Sequence, residues 1–209
     1  SHRNSGGRMS TVETNLVQPS TGTTLTLGAS GDTVDVPSGA TLDVTGATVT
    51  GLSAGKVLQV VSTTFNGNDS TTTNSMTDTS LSQAITPSAT SSKILIFCSI
   101  NSGGSADARP GFCIKRGSTE LNLGSTTVPS AYGSRILITS LWVGMVAGNM
   151  ESSNITYLDS PSTTSATTYT LAWANGLYGT SYLNRTGSDT DNGQHARAAS
   201  TLVLMEIEG

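Results

Sequence analysis

The chain has 209 residues, enough for one or two domains with a real core, and only 11% of them are charged, against about 25% in an average globular protein. The formal charge is −4, from 10 Lys and Arg against 14 Asp and Glu, and the basic residues form no cluster, so the electrostatic footprint of a nucleic-acid partner is missing. Few charges, 23 glycines and abundant Ser and Thr describe an all-β protein rather than a disordered chain, whose composition normally carries high net charge.

The opening SHRNSGGRM reads as a vector remnant before a start at Met9, so residues 1–10 are set aside as tag and start, and no charged-then-apolar leader is expected there. Thr11 to Thr21 is a polar lead-in that continues an axis or attaches the chain to something upstream. From Thr23 to Gly51 the apolar residues come in alternating pairs, Leu25/Leu27, Val34/Val36 and Leu42/Val44, followed by Val49 and Leu52, with Gly, Ser, Pro or Asp between them. Period two marks a strand with one buried face. Strands of about three to five residues cannot close a core within one chain, because such segments need stacked or partner copies. The expectation for residues 11–54 is therefore an intertwined, trimeric β-stalk.

After the small-residue hinge Leu52 to Gly55 the sequence changes character. Lys56–Phe65 is the first strand of ordinary length, and the polar loop Asn66–Asp78 follows it. Further strands are expected at Ser80–Thr86, Lys93–Asn101, Gly111–Lys115, Glu120–Leu123, Arg135–Val146, Asn154–Leu158, Thr167–Ala174, Ser181–Asn184 and Thr201–Ile207, a spacing that suits a β-sandwich or barrel. Pro87, Pro110, Pro129 and Pro161 fall outside or at the ends of these runs, where the missing ladder donor is tolerated. No stripe of helical period is present, and no apolar run approaches the roughly 18 to 20 residues of a membrane-spanning helix.

The runs Ile94-Leu-Ile-Phe97 and Ile136-Leu-Ile138 are continuously apolar. That pattern suits strands covered on both faces, by the opposite sheet and by a neighbouring subunit, and Trp142, Val143, Met145 and Val146 read the same way. Cys98 and Cys113 flank a Gly/Ser-rich turn. If their segments formed one hairpin the two could face each other as a disulfide; without a secretion signal, two buried free thiols are the preferred reading.

Chemistry is sparse. His195 is the only histidine after Met9 and has no companion motif for nucleophilic catalysis, so it reads as an exposed or packing residue. Carboxylates for glycan hydrolysis could be sought among Asp69, Asp78, Asp107, Glu120, Glu151, Asp159, Asp189 and Asp191, but no motif pairs any of them. Asp189-Thr-Asp191-Asn-Gly193 has the look of a calcium loop without its later bidentate Glu, and an Asx-rich turn is the simpler reading; no metal or cofactor is expected. Tyr178, Tyr182, Asn184 and Arg185 cluster around a Gly-rich turn, where an aromatic face plus amide and guanidinium donors could hold a sugar ring. The competing reading packs both tyrosines at a subunit interface and gives Asn184 and Arg185 to a turn. Loops Asn66–Asn74, Ser102–Arg109, Thr126–Ser134 with Tyr132, and Gly148–Ser153 are further specificity candidates.

Several stretches are familiar as a set. Asn15-Leu-Val-Gln-Pro-Ser-Thr-Gly-Thr-Thr-Leu-Thr-Leu-Gly28, continued by Ser30-Gly-Asp-Thr-Val34 and Pro37-Ser-Gly-Ala-Thr-Leu42, resembles the stalk of tail-fibre-like structural proteins of marine bacteriophages, notably those of cyanobacteria. Gly55-Lys-Val-Leu-Gln-Val60, Ile85-Thr-Pro-Ser88 and Ser91-Ser-Lys-Ile-Leu95 are similar to the start of the head in that group. Tyr182-Leu-Asn-Arg-Thr186 and the terminal Arg197-Ala-Ala-Ser-Thr201 through Met205-Glu206 complete the likeness, which runs from about residue 13.

The resemblance implies a homotrimeric virion fibre or appendage protein, assembled in the host cytoplasm, with a β-rich head that adheres to a host-surface glycan or protein without catalysis. It brings no binding residues with it. The expected architecture is a β-helix or β-prism stalk over 11–54, joined to other virion tail proteins through the N-terminus, and a jelly-roll-like β-sandwich head over 55–209. No membrane insertion is expected. The alternative is a purely structural head, neck or capsid decoration fibre; a small depolymerase is a more distant third.

Overall fold

Short-period alternation governs the chain from Val57 onward. In a computed structural model, which describes residues 22–24, 26–27, 30–46, 56–121, 136–141, 143–176 and 178–209, the chain divides into two units, Ser1–Leu52 and Ser53–Gly209. Among the described residues ten strands build the second unit: β1 (Val57–Phe65), β2 (Ser70–Thr71), β3 (Thr77–Ile85), β4 (Lys93–Gly104), β5 (Pro110–Arg116), β6 (Thr119–Leu121), β7 (Met150–Asp159), β8 (Thr167–Asn175), β9 (Ser181–Leu183) and β10 (Ser200–Ile207). No helix long and apolar enough to cross a membrane occurs among the described residues.

All pairings are antiparallel. One sheet runs β1-β10-β4-β9-β2, with β7 on the other edge of β4, and the second runs β3-β8-β5-β6. The protein is all-β, and its two sheets share one core. Ile94, Ile96, Cys98 and Ile100 of β4, Ile155 of β7 and Leu202 and Leu204 of β10 come from the first sheet. They pack with Leu81 and Ile85 of β3, Phe112 and Ile114 of β5 and Tyr169, Leu171 and Trp173 of β8. Trp173 stacks on Phe112 with ring centroids 6.1 Å apart. Two polar ties reinforce this packing. Asp159 of β7 accepts from Arg116 of β5 at 2.7 and 2.8 Å and from the Tyr169 hydroxyl of β8 at 2.7 Å, joining the sheets. Burial and the neighbouring Asp159 carboxylate push the Tyr169 hydroxyl pKa up. Elsewhere Glu206 of β10 collects Ser88 N, Ser88 Oγ and Ser92 Oγ on one oxygen, and Gln59 Nε2 on the other.

The strand expected at Arg135–Val146 is not there: its described residues carry only an isolated bridge between Ser140 and Phe112. Leu141 sits at φ 58°, a left-handed conformation that interrupts extension, and beyond it Met145 exchanges backbone bonds with Asp107 and Ala108 of a loop. β2 arises inside the segment read as a polar loop. Cys98 and Cys113 are both free and buried, and they lie in different sheets rather than in one hairpin. Burial pushes each thiol up to about 12.

In the first unit, described residues 30–46 form turns and no strands. Leu27, Val34, Val36, Leu42 and Val44 of the alternating pairs are exposed, while Leu25, Val49 and Leu52 lie outside the described residues. Gly22, Gly31, Gly39 and Gly46 all have positive φ, so left-handed glycines recur every nine, eight and seven residues. The turn at Gly39 is closed by Ala40 N donating to Pro37 O at 3.0 Å, which puts the glycine where a type II turn requires it.

Candidate functional site

Antiparallel pairing sorts the loops of the second unit between two poles. Lys56 leads in and Glu208 leads out side by side, with Glu208 N donating to Lys56 O at 2.9 Å. The opposite pole carries the connections that follow β1, β4, β8 and β9 and the one that precedes β7. These connections are sewn to one another. Ser105 N donates to Thr180 O at 2.9 Å and Thr180 N returns to Ser105 Oγ at 2.8 Å; Ser188 N donates to Ala147 O at 2.7 Å and Leu183 N to Asp69 O at 3.0 Å.

Two buried asparagines act as pegs. The Asn175 carboxamide accepts from Arg109 N and Ser181 Oγ and donates to Tyr178 O and Gly179 O. Asn184, at φ 65°, donates to Phe65 O at 2.8 Å and Gly67 O at 3.0 Å and accepts from Ser200 Oγ at 2.6 Å. Asparagine tolerates the left-handed region better than most side chains, which suits it to this corner. Asn184 is 1% exposed and its carboxamide is used internally, so the sequence assignment of Asn184 to ligand contact is corrected: it braces the pole from inside.

Tyr182 and Arg185 do come together. The Arg185 guanidinium carbon lies 3.5 Å from the centre of the Tyr182 ring, a cation–π stack. The loop after β9 can lie flat on the sheet because Gly103 and Gly187 have no side chains: a Cβ at Gly103 would strike Arg185 O, and one at Gly187 would strike Gly104 O. Tyr178, at 66%, is the most exposed aromatic side chain among the described residues. Tyr132 and the loop Thr126–Ser134 lie outside the described residues.

The structure adds residues to this cluster that the sequence reading set apart. Asp189 lies 3.8 Å from Arg185 Nη1 and accepts from Arg197 Nε at 3.1 Å and Nη2 at 2.7 Å. The Arg197 hydrogen bonds hold the Asp189 carboxyl below the usual carboxylate range, with smaller help from the charges of Arg197 and Arg185. Asp189, Thr190, Asp191, Asn192, His195 and Arg197 line an open concavity of about 420 Å³. His195 Nδ1 lies 2.8 Å from Thr190 Oγ1, and Gln194 N donates to Asn192 Oδ1 at 2.9 Å, an Asx turn. Asp189 is thus engaged by Arg197 in a stretch that only resembled a calcium loop. The sole sequence signal for this grouping was the four-residue spacing of Arg185 and Asp189. Among the described residues no three His, Cys, Asp or Glu side chains converge as metal ligands do.

The pole therefore offers an exposed tyrosine, a tyrosine–guanidinium stack and a polar hollow, fixed on interlocked loops. Comparison with protein-family models and with curated proteins returns no match.

Proposed function

We propose that this chain is a homotrimeric phage fibre protein whose β-sandwich head adheres to a host-surface glycan or protein without catalysis. The observation that carries the reading is the polarity of the head. The exposed Tyr178, the Tyr182–Arg185 stack and the hollow at Asp189 and Arg197 all stand at the pole opposite Lys56, where the chain enters the sandwich, as they would at the tip of a fibre. The strand orders β1-β10-β4-β7 and β3-β8-β5-β6 support a jelly roll, two four-stranded sheets linked by Greek keys. A fold hosts many functions, so the site carries the weight. The turn-and-apolar repeat of residues 22–46, with Leu27, Val34, Val36, Leu42 and Val44 exposed in the single chain, supports a stalk that three chains complete together, and through it attachment to the tail of the virion. Three weak sites held close together gain on the order of 10² to 10⁴ in avidity.

The test is binding of the fluorescently labelled whole chain to intact cyanobacterial cells and to an array of bacterial surface polysaccharides. Binding that falls at least tenfold in Tyr178→Ala or Arg197→Ala, and is unchanged in Thr168→Glu on the outer face of the β3-β8-β5-β6 sheet, is the expected outcome. No binding to any of these surfaces, or binding indifferent to the pole variants, would turn the assignment to a purely structural fibre of the virion.

A further inference from the structure

We infer that the outward face of β1, β10, β4 and β7 is the surface through which copies of this chain pack on one another. The inference rests on the homotrimeric reading above and specifies its contact.

The registers align outward side chains in rows across the four strands. Val60, Met205, Leu95 and Leu158 form one continuous row, and Ser62, Val203, Phe97 and Thr156 form the next. Toward the loop pole the row is Thr64, Thr201, Ser99 and Asn154, and beyond it residues 185 and 186 lie over Gly103. At the other end Val57 pairs with Ile207 and Ile207 with Lys93. The apolar part is open: Val57, Leu58, Val60, Phe97 and Leu158 are all among the exposed large hydrophobics. Between β4 and β7 there is a dimple of about 170 Å³ lined in part by Phe97, Ser99, Asn154 and Thr156, room for an inserted side chain.

Three features point to a copy of the chain as the occupant. The face carries a single charge, Lys93, which donates to Ser160 Oγ at its rim. Copies can therefore meet there without like-charge repulsion, although each chain has net charge −4. A glycan would need hydrogen-bonding side chains, and the row from Val60 to Leu158 has none. Finally, the apolar rows continue to Val57 and Ile207 at the end where the chain enters β1.

Four strands about 4.8 Å apart and about 20 Å of apolar length give roughly 400 Å², the size of the largest apolar patch on an ordinary monomer and below the roughly 800 Å² per partner of a free-standing interface. Tethered copies need less, because the tether raises their effective concentration to the millimolar range.

The test is the solution mass of the whole chain by light scattering, with Phe97→Glu on this face and Thr168→Glu on the outer face of the other sheet. The expected result is a threefold mass for the native chain and for Thr168→Glu, and for Phe97→Glu, with its β circular dichroism intact, a mass that falls to a single chain on dilution to concentrations at which the other two stay trimeric. A native chain that is monomeric at micromolar concentration would defeat the homotrimer itself. A Phe97→Glu trimer that survives dilution as well as the native one would overturn this face alone and leave the homotrimer standing. If Phe97→Glu fails to fold, peroxide oxidation of Met205 in the native chain decides. Protection that disappears on dilution to monomers supports the inference. Oxidation equally fast in both states overturns it, as does protection that persists in the monomer, which would assign the cover to residues 47–55 or 122–135 of the same chain.

Discussion

The two outer faces of the sandwich are built on the same plan and finished differently. On the β3-β8-β5-β6 sheet an outward row reads Ser82, Thr170, Lys115 and Glu120, and Lys115 pairs with Asp78 at 2.6 Å. On the other sheet the corresponding kind of row reads Val60, Met205, Leu95 and Leu158. A sheet that faces water on one side alternates apolar inward with polar outward, and the first row obeys that rule. The second breaks it across four strands at once. Alternation is strict along β10 and along most of β4, whereas Pro110–Ile114 of β5 and Leu171–Asn175 of β8 are buried without a break, so the contrast is between these rows and not between whole sheets.

Both faces stand on the same core, and the largest effects should come from breaking it. Trp173 is 1% exposed and stacked on Phe112, so Trp173→Ala should cost about 3–5 kcal/mol in chemical denaturation. Because the sheets share that core, they should unfold in one transition. Two separate transitions would mean that the faces belong to independent layers. Next is the tie between the sheets: Arg116→Met leaves the Asp159 carboxylate, its side chain 6% exposed, with the Tyr169 hydroxyl but no cation. About 3 kcal/mol is expected, the lower end for a broken buried pair because Arg116 itself is 29% exposed. A loss below about 1 kcal/mol would place the tie among surface ion pairs.

Glu206 gives the first sheet a pH dependence of its own. Burial by itself would raise this carboxyl, but hydrogen bonds from Ser88, Gln59 and Ser92 outweigh it and hold the pKa at about 2 against an ordinary 4.5. The folded value lies below the unfolded one, so the stabilisation is complete above about pH 5 and is lost as pH falls through 4.5 toward 2. It amounts to about 3 kcal/mol. Denaturation midpoints measured at fixed chain concentration between pH 6 and pH 2.5 should fall steeply for the native chain and less steeply for Glu206→Gln. Equal slopes would show that other carboxylates carry the acid sensitivity.

What the sequence made legible follows from how local the cause is. Alternation alone placed Thr201–Ile207 in a strand, because buried and half-buried residues alternate along all of β10. The unbroken run Ile94 to Phe97 conceals the alternation that β4 has all the same: Ile94 and Ile96 turn into the core while Leu95 and Phe97 point outward. Tyr182 and Arg185 were found together because they lie three positions apart in the chain. Asn184 was misjudged for the opposite reason. A polar residue beside a Gly-rich turn looks like surface, whereas the carbonyls of Phe65 and Gly67 that draw it inward lie more than 110 positions away in the chain. The apolar run at Ile136–Ile138 suggested a strand, but the backbone bonds that follow it are an isolated bridge from Thr139 and Ser140 to Phe112 of β5 and, at Met145, bonds to the loop residues Asp107 and Ala108, which hydrophobic pattern does not report.

The smallest effects discriminate best between the faces. Lys115→Ala removes a pair whose Asp78 side chain is 53% exposed, and such pairs contribute under about 1 kcal/mol. Leu95→Ala removes a side chain of similar length at the matching place on the other sheet, and should cost about 2 kcal/mol if a neighbouring copy completes its burial. The decisive quantity is concentration dependence. Stabilisation that comes from association grows with chain concentration, so the loss for Leu95→Ala should change over a hundredfold dilution while that for Lys115→Ala stays constant. If both losses were equal and indifferent to dilution, Leu95 would be meeting water, as Lys115 does, and the contrast between the two rows would be one of composition only.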